Sequence, residues 1–181
     1  MSKKIIFIAG SYGVGKTTLC NQISKVMKIP SYSASDLISK QNNEQYGENK
    51  YVMDSKANQD ILVNQVSKIQ DNVFIVNGHF CLKAPNNNLI LLDHTIFLQM
   101  NLSSIILLNA DDNAIIHNIY NRDHRKYDSE FVKNLLESER RQAEDVSKKY
   151  NIPLYIYDMK YDGEDFDRIL LVIKHIIRKK V

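Results

Sequence analysis

The residues with the clearest chemical signature lie near the start of the chain. Residues 10–17 read G-S-Y-G-V-G-K-T, which matches the phosphate-binding pattern G-x-x-x-x-G-K-[ST]. The three glycines let the backbone curl so that several N–H groups point at one phosphate. Lys16 can reach the β- and γ-phosphates, and the Thr17 hydroxyl can ligate Mg²⁺. The motif predicts a site for ATP and Mg²⁺ at Gly10, Ser11, Tyr12, Gly13, Val14, Gly15, Lys16, Thr17 and Thr18, the last of which also suits helix packing.

The sequence on either side of this loop supplies the elements that it requires. After Lys4, residues 5–9 are apolar and rich in β-branched side chains, which is typical of a buried strand. After the loop, Leu19, Ile23, Val26 and Met27 recur at helical spacing. The N-terminus of such a helix adds partial positive charge beside a phosphate. A glycine-rich turn with an incidental lysine is the alternative, and the flanking pattern counts against it.

Composition narrows the class of protein. The chain has 181 residues, enough for one α/β domain, with 44% hydrophobic and 25% charged residues and a net charge of +3. Disordered and fibrous classes are excluded. The absence of a basic stripe with interleaved aromatic residues counts against a nucleic-acid partner without excluding it. No secretory signal or membrane-spanning run is visible, so we expect a cytoplasmic protein; the oligomeric state is open.

The rest of the chain alternates strands with helices. Strands are predicted at residues 4–9, 29–33, 73–76, 104–109 and 154–157, with a helical pattern after each strand and Ser35 as a cap of the second helix. This alternation predicts an α/β fold: a five-stranded parallel sheet with helices on both faces, in three layers. We expect a single domain over residues 1–181. Two insertions are expected, an acceptor-binding flap over 36–70 and a short lid over 121–128.

Polar residues follow the strands at the edge where ligands of such sheets bind. Asp36 can orient an acceptor or, for a hydroxyl acceptor, take its proton; the alternative is a favourable interaction with the helix dipole. His79 can contact substrate or cap its loop. Gln59, with Asn58 beside it, can recognise a base or belong to a plain polar helix face.

Magnesium and the transferring phosphoryl group need further residues. Asn77 ends the third predicted strand, where its amide can hold a metal-bound water, and Asp111 or Asp112 can supply the missing negative charge. Phosphoryl transfer spreads charge over the equatorial oxygens, which guanidinium groups stabilise. The candidates are Arg122 and Arg125 in a charged turn and Arg140 or Arg141 on the following helix, with a solvated surface turn as the alternative.

These residues together resemble the nucleoside monophosphate kinases, and among them an adenylate kinase-like group of small archaeal and bacterial proteins. Residues 33–38, S-A-S-D-L-I, resemble the S-T-G-D-L-L that begins the monophosphate-binding helix of that family. Residues 76–80, V-N-G-H-F, resemble its D-G-F or D-x-H element. Arg122 and Arg125 resemble its lid arginines, and Arg140 resembles the arginine on the helix behind the lid.

The chain departs from that family at two positions. Ser39 stands where the family has an arginine, a role that Lys40 or Lys50 can take, and Asn77 stands where it has an aspartate. The resemblance implies transfer of the γ-phosphoryl group of Mg·ATP to a nucleoside monophosphate. Two alternatives remain: a kinase for a nucleoside, small-molecule or polynucleotide 5′-hydroxyl acceptor with Asp36 as base, and an ATP-binding switch that acts on a macromolecular partner.

Overall fold

The computed structural model describes residues 3–42, 55–84, 88–124 and 126–179. The first part of the chain forms β1 (Lys4–Gly10), α1 (Lys16–Met27), β2 (Ser31–Ser33), α2 (Ala34–Asn42), α3 (Ser55–Lys68) and β3 (Val73–Gly78). The remainder forms β4 (Cys81–Lys83), β5 (Leu89–Leu91), α4 (His94–Gln99), β6 (Ser104–Asn109), α5 (Asp112–Asp123), α6 (Ser129–Tyr150), β7 (Leu154–Asp158) and α7 (Asp165–Arg178).

Five of the strands form one parallel sheet in the order β2-β3-β1-β6-β7. The central strand β1 buries both of its faces: Phe7 belongs to one apolar cluster, and Ile6 and Ile8 belong to the other. A strand buried on both faces needs apolar residues at every position, which explains the continuous apolar run in its sequence. The predicted parallel sheet with helices on both faces is confirmed.

The helices divide between the two faces of the sheet. The cluster that contains Phe7 includes residues of α2, α3, α4 and α6, among them Leu37, Val66, Phe97, Leu135 and Val146. The other cluster includes residues of α1, α5 and α7, among them Leu19, Ile23, Ile115, Ile169 and Ile173. Val26, which the helical pattern of α1 placed with the core residues, is 58% exposed. None of the helices in the described residues is long and apolar enough to cross a membrane.

Two local features differ from the sequence-based expectation. The helix α2 begins at Ala34, and the Ser33 hydroxyl accepts a hydrogen bond from the backbone N–H of Asp36 at 3.4 Å, so Ser33 rather than Ser35 takes the capping position. After β3 the chain forms an antiparallel pair, β4 with β5, in which Cys81 lies opposite Leu91. The sequence analysis predicted no such hairpin, because each strand has only three residues.

The predicted flap and lid fall partly outside the described residues. The flap region begins with α2 and ends with α3, and residues 43–54 between these helices lie outside the described residues. At the lid, α5 continues to Asp123, and Asp128 caps α6 by accepting a hydrogen bond from the N–H of Glu130. The charged turn therefore begins at residue 124. Arg125 lies outside the described residues.

Candidate functional site

The loop between β1 and α1 has a backbone that requires its glycines. Gly13 and Gly15 have φ angles of 79° and 98°, in the left-handed region. A Cβ atom on Gly10 would lie 2.4 Å from the carbonyl oxygen of Leu108, and one on Gly13 would lie 2.7 Å from Cγ1 of Ile119. A Cβ atom on Gly15 would meet nothing within 4 Å. The loop thus packs closely against the sheet and α5 at Gly10 and Gly13, whereas the space beside Gly15 is open. A phosphate group could bind in that space.

Lys16 places its charge inside this loop. Its Nζ atom donates hydrogen bonds to the carbonyl oxygens of Gly10 and Ser11 at 2.8 and 2.9 Å, and the residue is only 8% exposed. Thr17 and Thr18 follow on the exposed side of the helix N-terminus. A triphosphate bound to the loop would meet the ammonium group, the helix N-terminus and the Thr17 hydroxyl together. The residues present therefore fit this ligand.

Two side chains that the sequence analysis missed hold the loop from outside. Asn118 on α5 donates from Nδ2 to the carbonyl oxygen of Gly13 at 3.0 Å, and the Tyr161 hydroxyl donates to the carbonyl oxygen of Val14 at 3.4 Å. Tyr161 is held in turn by the buried carboxylate of Asp165, which accepts its N–H at 2.7 Å. Burial raises the pKa of Tyr161, so its hydroxyl keeps its proton and remains a donor.

A cavity of about 600 Å³ extends from the phosphate loop to an apolar chamber. The chamber lies between the sheet and the helices α2, α3 and α4, and its apolar wall is formed by Phe7, Ile38, Leu62, Leu82, Leu92, Ile96 and Phe97. The polar groups of its lining are hydroxyls, amides and one imidazole, from Ser33, Ser35, Asn58, Gln59, Asn77 and His79. The phosphate-loop end contributes Gly13, Gly15, Lys16, Thr17, Thr18, Asn118 and Arg122.

His79 joins the two ends of this cavity. Its ring lies against the ring of Tyr12 in the phosphate loop, with 4.2 Å between centroids. Its Nδ1 atom lies 3.3 Å from Oε1 of Glu139, a residue of α6 that is 1% exposed. Burial raises the pKa of Tyr12 to about 12, so Tyr12 is uncharged beside the imidazole. The phosphate loop, β3 and α6 therefore meet at His79.

Glu139 is a functional candidate that the sequence analysis missed. Its carboxylate accepts hydrogen bonds from the backbone N–H groups of Phe80 at 3.0 Å and Cys81 at 3.3 Å. A periodic signal was present, because Glu139 lies on the buried face of α6 at alternating spacings of three and four residues, at positions 132, 135, 139, 142 and 146. Because a charged residue is not expected on the buried face of a helix, Glu139 was not predicted as a site residue.

Asn77 occupies the end of β3 next to β1. It is 8% exposed, and its Nδ2 atom donates to the carbonyl oxygen of Tyr32 at 3.3 Å. Asp111 caps α5, and Asp112 accepts a hydrogen bond from Ser129, so both carboxylates have other partners. No cluster of three acidic, histidine or cysteine ligands occurs in the described part of the chain. The donors present, Thr17 and Asn77, fit Mg²⁺ that reaches the site on the phosphates of ATP.

The structure brings some of the predicted residues to the cavity and leaves others outside. Gln59 lines the cavity, and its Oε1 atom accepts the N–H of Asp93 at 3.2 Å. Arg122 lies at the rim and is paired with Asp123. Asp36 is exposed on α2 and is not among the described lining residues. Arg140 is exposed and paired with Glu144 at 3.1 Å, and Arg141 is exposed as well.

The fold and the phosphate loop define a P-loop NTPase. Within it, the chain belongs to the family described as AAA domain (AAA_17), whose model matches residues 9–135. The matched segment runs from the end of β1 into α6 and contains the phosphate loop, Asn77, His79 and Arg122. No curated protein sequence matches the chain significantly.

Solved structures with the same fold include three small-molecule kinases. A shikimate kinase from Bacteroides thetaiotaomicron is 15% identical, with a TM-score of 0.64 over 97% of this chain and 99% of that one. A shikimate kinase from Acinetobacter baumannii in complex with shikimate is 13% identical, with a TM-score of 0.67 over 98% and 96%. A gluconokinase from Sinorhizobium meliloti 1021 is 12% identical, with a TM-score of 0.57 over 95% and 96%. At these identities the likeness establishes the fold.

Proposed function

We propose that this protein is an ATP-dependent phosphotransferase whose acceptor is a nucleoside-type small molecule. The observation that carries the proposal is the single cavity that joins the phosphate loop to the apolar chamber. One end has the residue types that hold a triphosphate, and the other has the volume and lining of a small-molecule site. A donor and an acceptor bound in the two ends would place their reacting groups next to each other near Lys16.

ATP would be held by residues 10–17. The ammonium of Lys16 would exchange its carbonyl partners for the β- and γ-phosphates, and the helix N-terminus of α1 would face the same phosphates. Mg²⁺, carried by ATP and contacted by Thr17 and by Asn77 through water, would neutralise charge on the phosphates. Arg122, which lines the rim of the cavity, would stabilise the transferring group. Positioning and charge stabilisation carry the rate in this chemistry.

The acceptor chamber suits a planar, mostly apolar group with hydrogen-bonding edges. Phe7, Phe97 and Ile96 offer an apolar surface to the faces of a ring, and the amides of Asn58 and Gln59 can reach its edge. A nucleobase has both properties. The proposed flap supports this assignment, because its helices α2 and α3 contribute Ile38 and the two amides to the lining.

Two acceptors of this type remain from the sequence analysis: a nucleoside monophosphate and a nucleoside that reacts through a hydroxyl. Both would place a base in the chamber and receive the γ-phosphoryl group near Lys16. Arg122 supports the monophosphate, because a guanidinium group at the rim can contact a second phosphate. The hydroxyl and amide groups in the lining of the chamber support the hydroxyl acceptor, because they can hydrogen-bond to a hydroxyl group.

The test is transfer of labelled phosphate from Mg·ATP to parallel panels of nucleosides, nucleoside monophosphates and 5′-hydroxyl oligonucleotides. We expect a labelled product whose formation is lost in Lys16→Ala and retained in Lys25→Ala, which removes an exposed lysine from the same helix. Transfer that survives in Lys16→Ala would refute this site. ATP hydrolysis without any labelled acceptor, rising only with a macromolecular partner, would support the ATP-binding switch.

A further inference from the structure

Gln59 connects two of the helices that enclose the acceptor chamber. Its Oε1 atom accepts a hydrogen bond from the backbone N–H of Asp93, the residue that caps α4, at 3.2 Å. The side chain therefore reaches from α3 to the beginning of α4, and both helices contribute apolar side chains to the cavity, Leu62 and Ile96 among them. Gln59 itself is half-buried and lines the cavity.

The contact with Asp93 decides which atom of the Gln59 amide is available to a ligand. A backbone N–H is a donor, so the amide oxygen must face it, and the reverse orientation would set the NH₂ group of Gln59 against the N–H of Asp93. Nε2 is then the atom that Gln59 presents to the cavity, and it carries two N–H donors and no acceptor. The fold thus makes Gln59 a hydrogen-bond donor toward the acceptor.

The surroundings of Gln59 make this donor selective. Leu62, Leu92 and Ile96 belong to the apolar part of the same lining. A ring compound that fills the chamber would displace water from the amide, and a donor left without a partner in an apolar site weakens binding. A ligand group that accepts a hydrogen bond would satisfy Nε2 of Gln59. An amino group in the same place would set donor against donor.

The engaged oxygen of Gln59 also disfavours the usual recognition of an amino-substituted base. Glutamine recognises adenine with both of its amide atoms: the oxygen accepts from the exocyclic amino group, and Nε2 donates to a ring nitrogen. In Gln59 the oxygen already accepts the N–H of Asp93, which weakens this two-point contact. A ring carbonyl needs only the donor, and its oxygen has two lone pairs in the plane of the ring.

We infer that Gln59 selects the base of the acceptor, and that the acceptor carries an oxo-substituted ring, a 4-oxopyrimidine or a 6-oxopurine, whose carbonyl oxygen accepts a hydrogen bond from Nε2 of Gln59. The inference rests on the proposed kinase function and narrows its substrate class. It applies to a nucleoside and to a nucleoside monophosphate alike, because the base would occupy the chamber while the reacting group lies near Lys16.

The first experiment uses pairs of compounds that differ at this group: uridine with cytidine, and inosine with adenosine, each as nucleoside and as 5′-monophosphate. Transfer from Mg·ATP gives kcat/KM, and calorimetry with a non-hydrolysable ATP analogue gives the affinity. We expect the oxo compound of at least one pair to exceed its amino partner by about tenfold in both measurements, and neither pair to favour the amino compound. Equal values within both pairs, or a preference for an amino compound, would overturn the inference.

Gln59→Glu changes the one group that faces the ligand. One carboxylate oxygen can still accept the N–H of Asp93, while the donor becomes a second oxygen that accepts. We expect a loss of about tenfold for the oxo compound and a gain of about tenfold for the amino compound, relative to each other, so that the preference inverts. ATP affinity should stay within about twofold, since the phosphate loop is unchanged.

Gln65→Glu is the matched control. It makes the same change on the same helix, at a side chain that contacts Gln41 at 2.7 Å and is not among the described residues of the cavity lining. It should leave the preference between oxo and amino compounds unchanged. A folded Gln59→Glu variant that keeps the wild-type preference would show that Gln59 does not select the base.

Gln59→Leu completes the series, because it removes the donor and keeps a side chain of similar size. We expect the ratio of kcat/KM within each pair to approach one, since neither compound is then matched by a polar group. If the wild type phosphorylates no compound, the proposed function fails, and the affinities within each pair still decide whether Gln59 selects the oxo compound. Transfer whose preference is the same in all three Gln59 proteins, or no binding by any compound, would overturn the inference.

Discussion

The side-chain amide of Asn118 donates a hydrogen bond to the carbonyl oxygen of Gly13 at 3.0 Å. This contact ties the phosphate loop to α5, the helix that also carries Arg122 at the rim of the cavity. The two residues are one helical turn apart, so a shift of the loop on nucleotide binding would be transmitted to the arginine.

Asn118→Ala should weaken ATP binding by about tenfold and lower the free energy of unfolding by about 1 kcal/mol, because the carbonyl of Gly13 loses its donor. Isothermal calorimetry with Mg·ATP and urea unfolding measure the two effects. Asn121→Ala is the control, since its amide lies on the same helix and contacts exposed His117 at 2.9 Å instead of the loop. Equal effects of the two substitutions would contradict the coupling.

Alanine substitutions at the glycines of the loop should separate folding from binding. Gly10→Ala forces a Cβ atom to 2.4 Å from a backbone oxygen, which cannot move aside cheaply, so we expect a loss of stability of about 2–4 kcal/mol. Gly15→Ala meets open space and is destabilised only by its φ of 98°, by about 1–2 kcal/mol. Its methyl group would, however, project where the phosphates bind.

The measurements are thermal unfolding and nucleotide affinity for each glycine variant. We expect Gly10→Ala to unfold at a clearly lower temperature, and Gly15→Ala to stay folded at room temperature with ATP affinity reduced more than its stability. The reverse order would show that the loop does not hold phosphate at Gly15.

Asn77→Asp should destabilise the protein more in the absence of nucleotide than in the presence of Mg·ATP. A carboxylate cannot donate to the carbonyl oxygen of Tyr32, and the two oxygens would repel, so the free energy of unfolding should fall by about 1–3 kcal/mol in the presence of a chelator. Mg·ATP should restore much of the loss, because a carboxylate holds metal-bound water better than an amide does. Asn72→Asp, which adds a charge at an exposed position, should show neither effect. Melting temperatures of the wild type and the two variants, each measured with a chelator and with Mg·ATP, test both effects.

Alkaline pH should destabilise the protein through its buried thiols. Burial raises the pKa of Cys20 from 9.0 to about 12 and raises the pKa of Cys81 as well. The folded state therefore holds these protons more tightly than the unfolded state. The resulting stabilisation is complete below pH 9 and is lost as the pH rises from about 9 to about 12, by up to about 1.4 kcal/mol per pH unit for each thiol.

Urea unfolding at pH 8, 9 and 10 checks this prediction. The free energy of unfolding of the wild type should decline between pH 9 and 10, and the decline should be smaller in the Cys20→Ala, Cys81→Ala double variant. A wild-type value that is constant to pH 10 would contradict the assigned burial. Tyr12, with a pKa near 12, should contribute in the same direction only above pH 10.

The sheet and the phosphate loop could be predicted because their causes are local. A continuous apolar run such as the one in β1 is typical of a buried parallel strand. The glycines of the loop stand where a Cβ atom would clash with a neighbouring atom or where φ is positive. The β4–β5 hairpin could not be predicted, because strands of three residues have too little pattern. Its pairing depends on contacts with α6 that a linear pattern does not contain.

The acceptor end was less predictable, for reasons visible at Asp36 and Arg140. The helix α2 begins at Ala34, two residues earlier than a Ser35 cap predicts. Leu37 is buried and Ile38 lines the cavity, whereas Asp36, about 100° from Leu37 around the helix, is exposed. On α6 the inward position next to Arg140 belongs to Glu139, whose charge is compensated by N–H groups of a different segment. Which charged side chain is buried depends on such distant partners.

The strand order also bears on how the chain is made. β2, β3 and β1 are complete once residue 78 has left the ribosome, but the second edge of β1 pairs with β6, which begins at Ser104. Until then the apolar residues 5–9 present an unpaired strand edge, the kind of surface to which other nascent chains and chaperones bind. The strand that carries the phosphate loop therefore gains its second neighbour only after β3 has both of its own. Because Asn118 and Tyr161, which bond to the loop, come later still in the chain, we expect the ATP site to form late in biosynthesis.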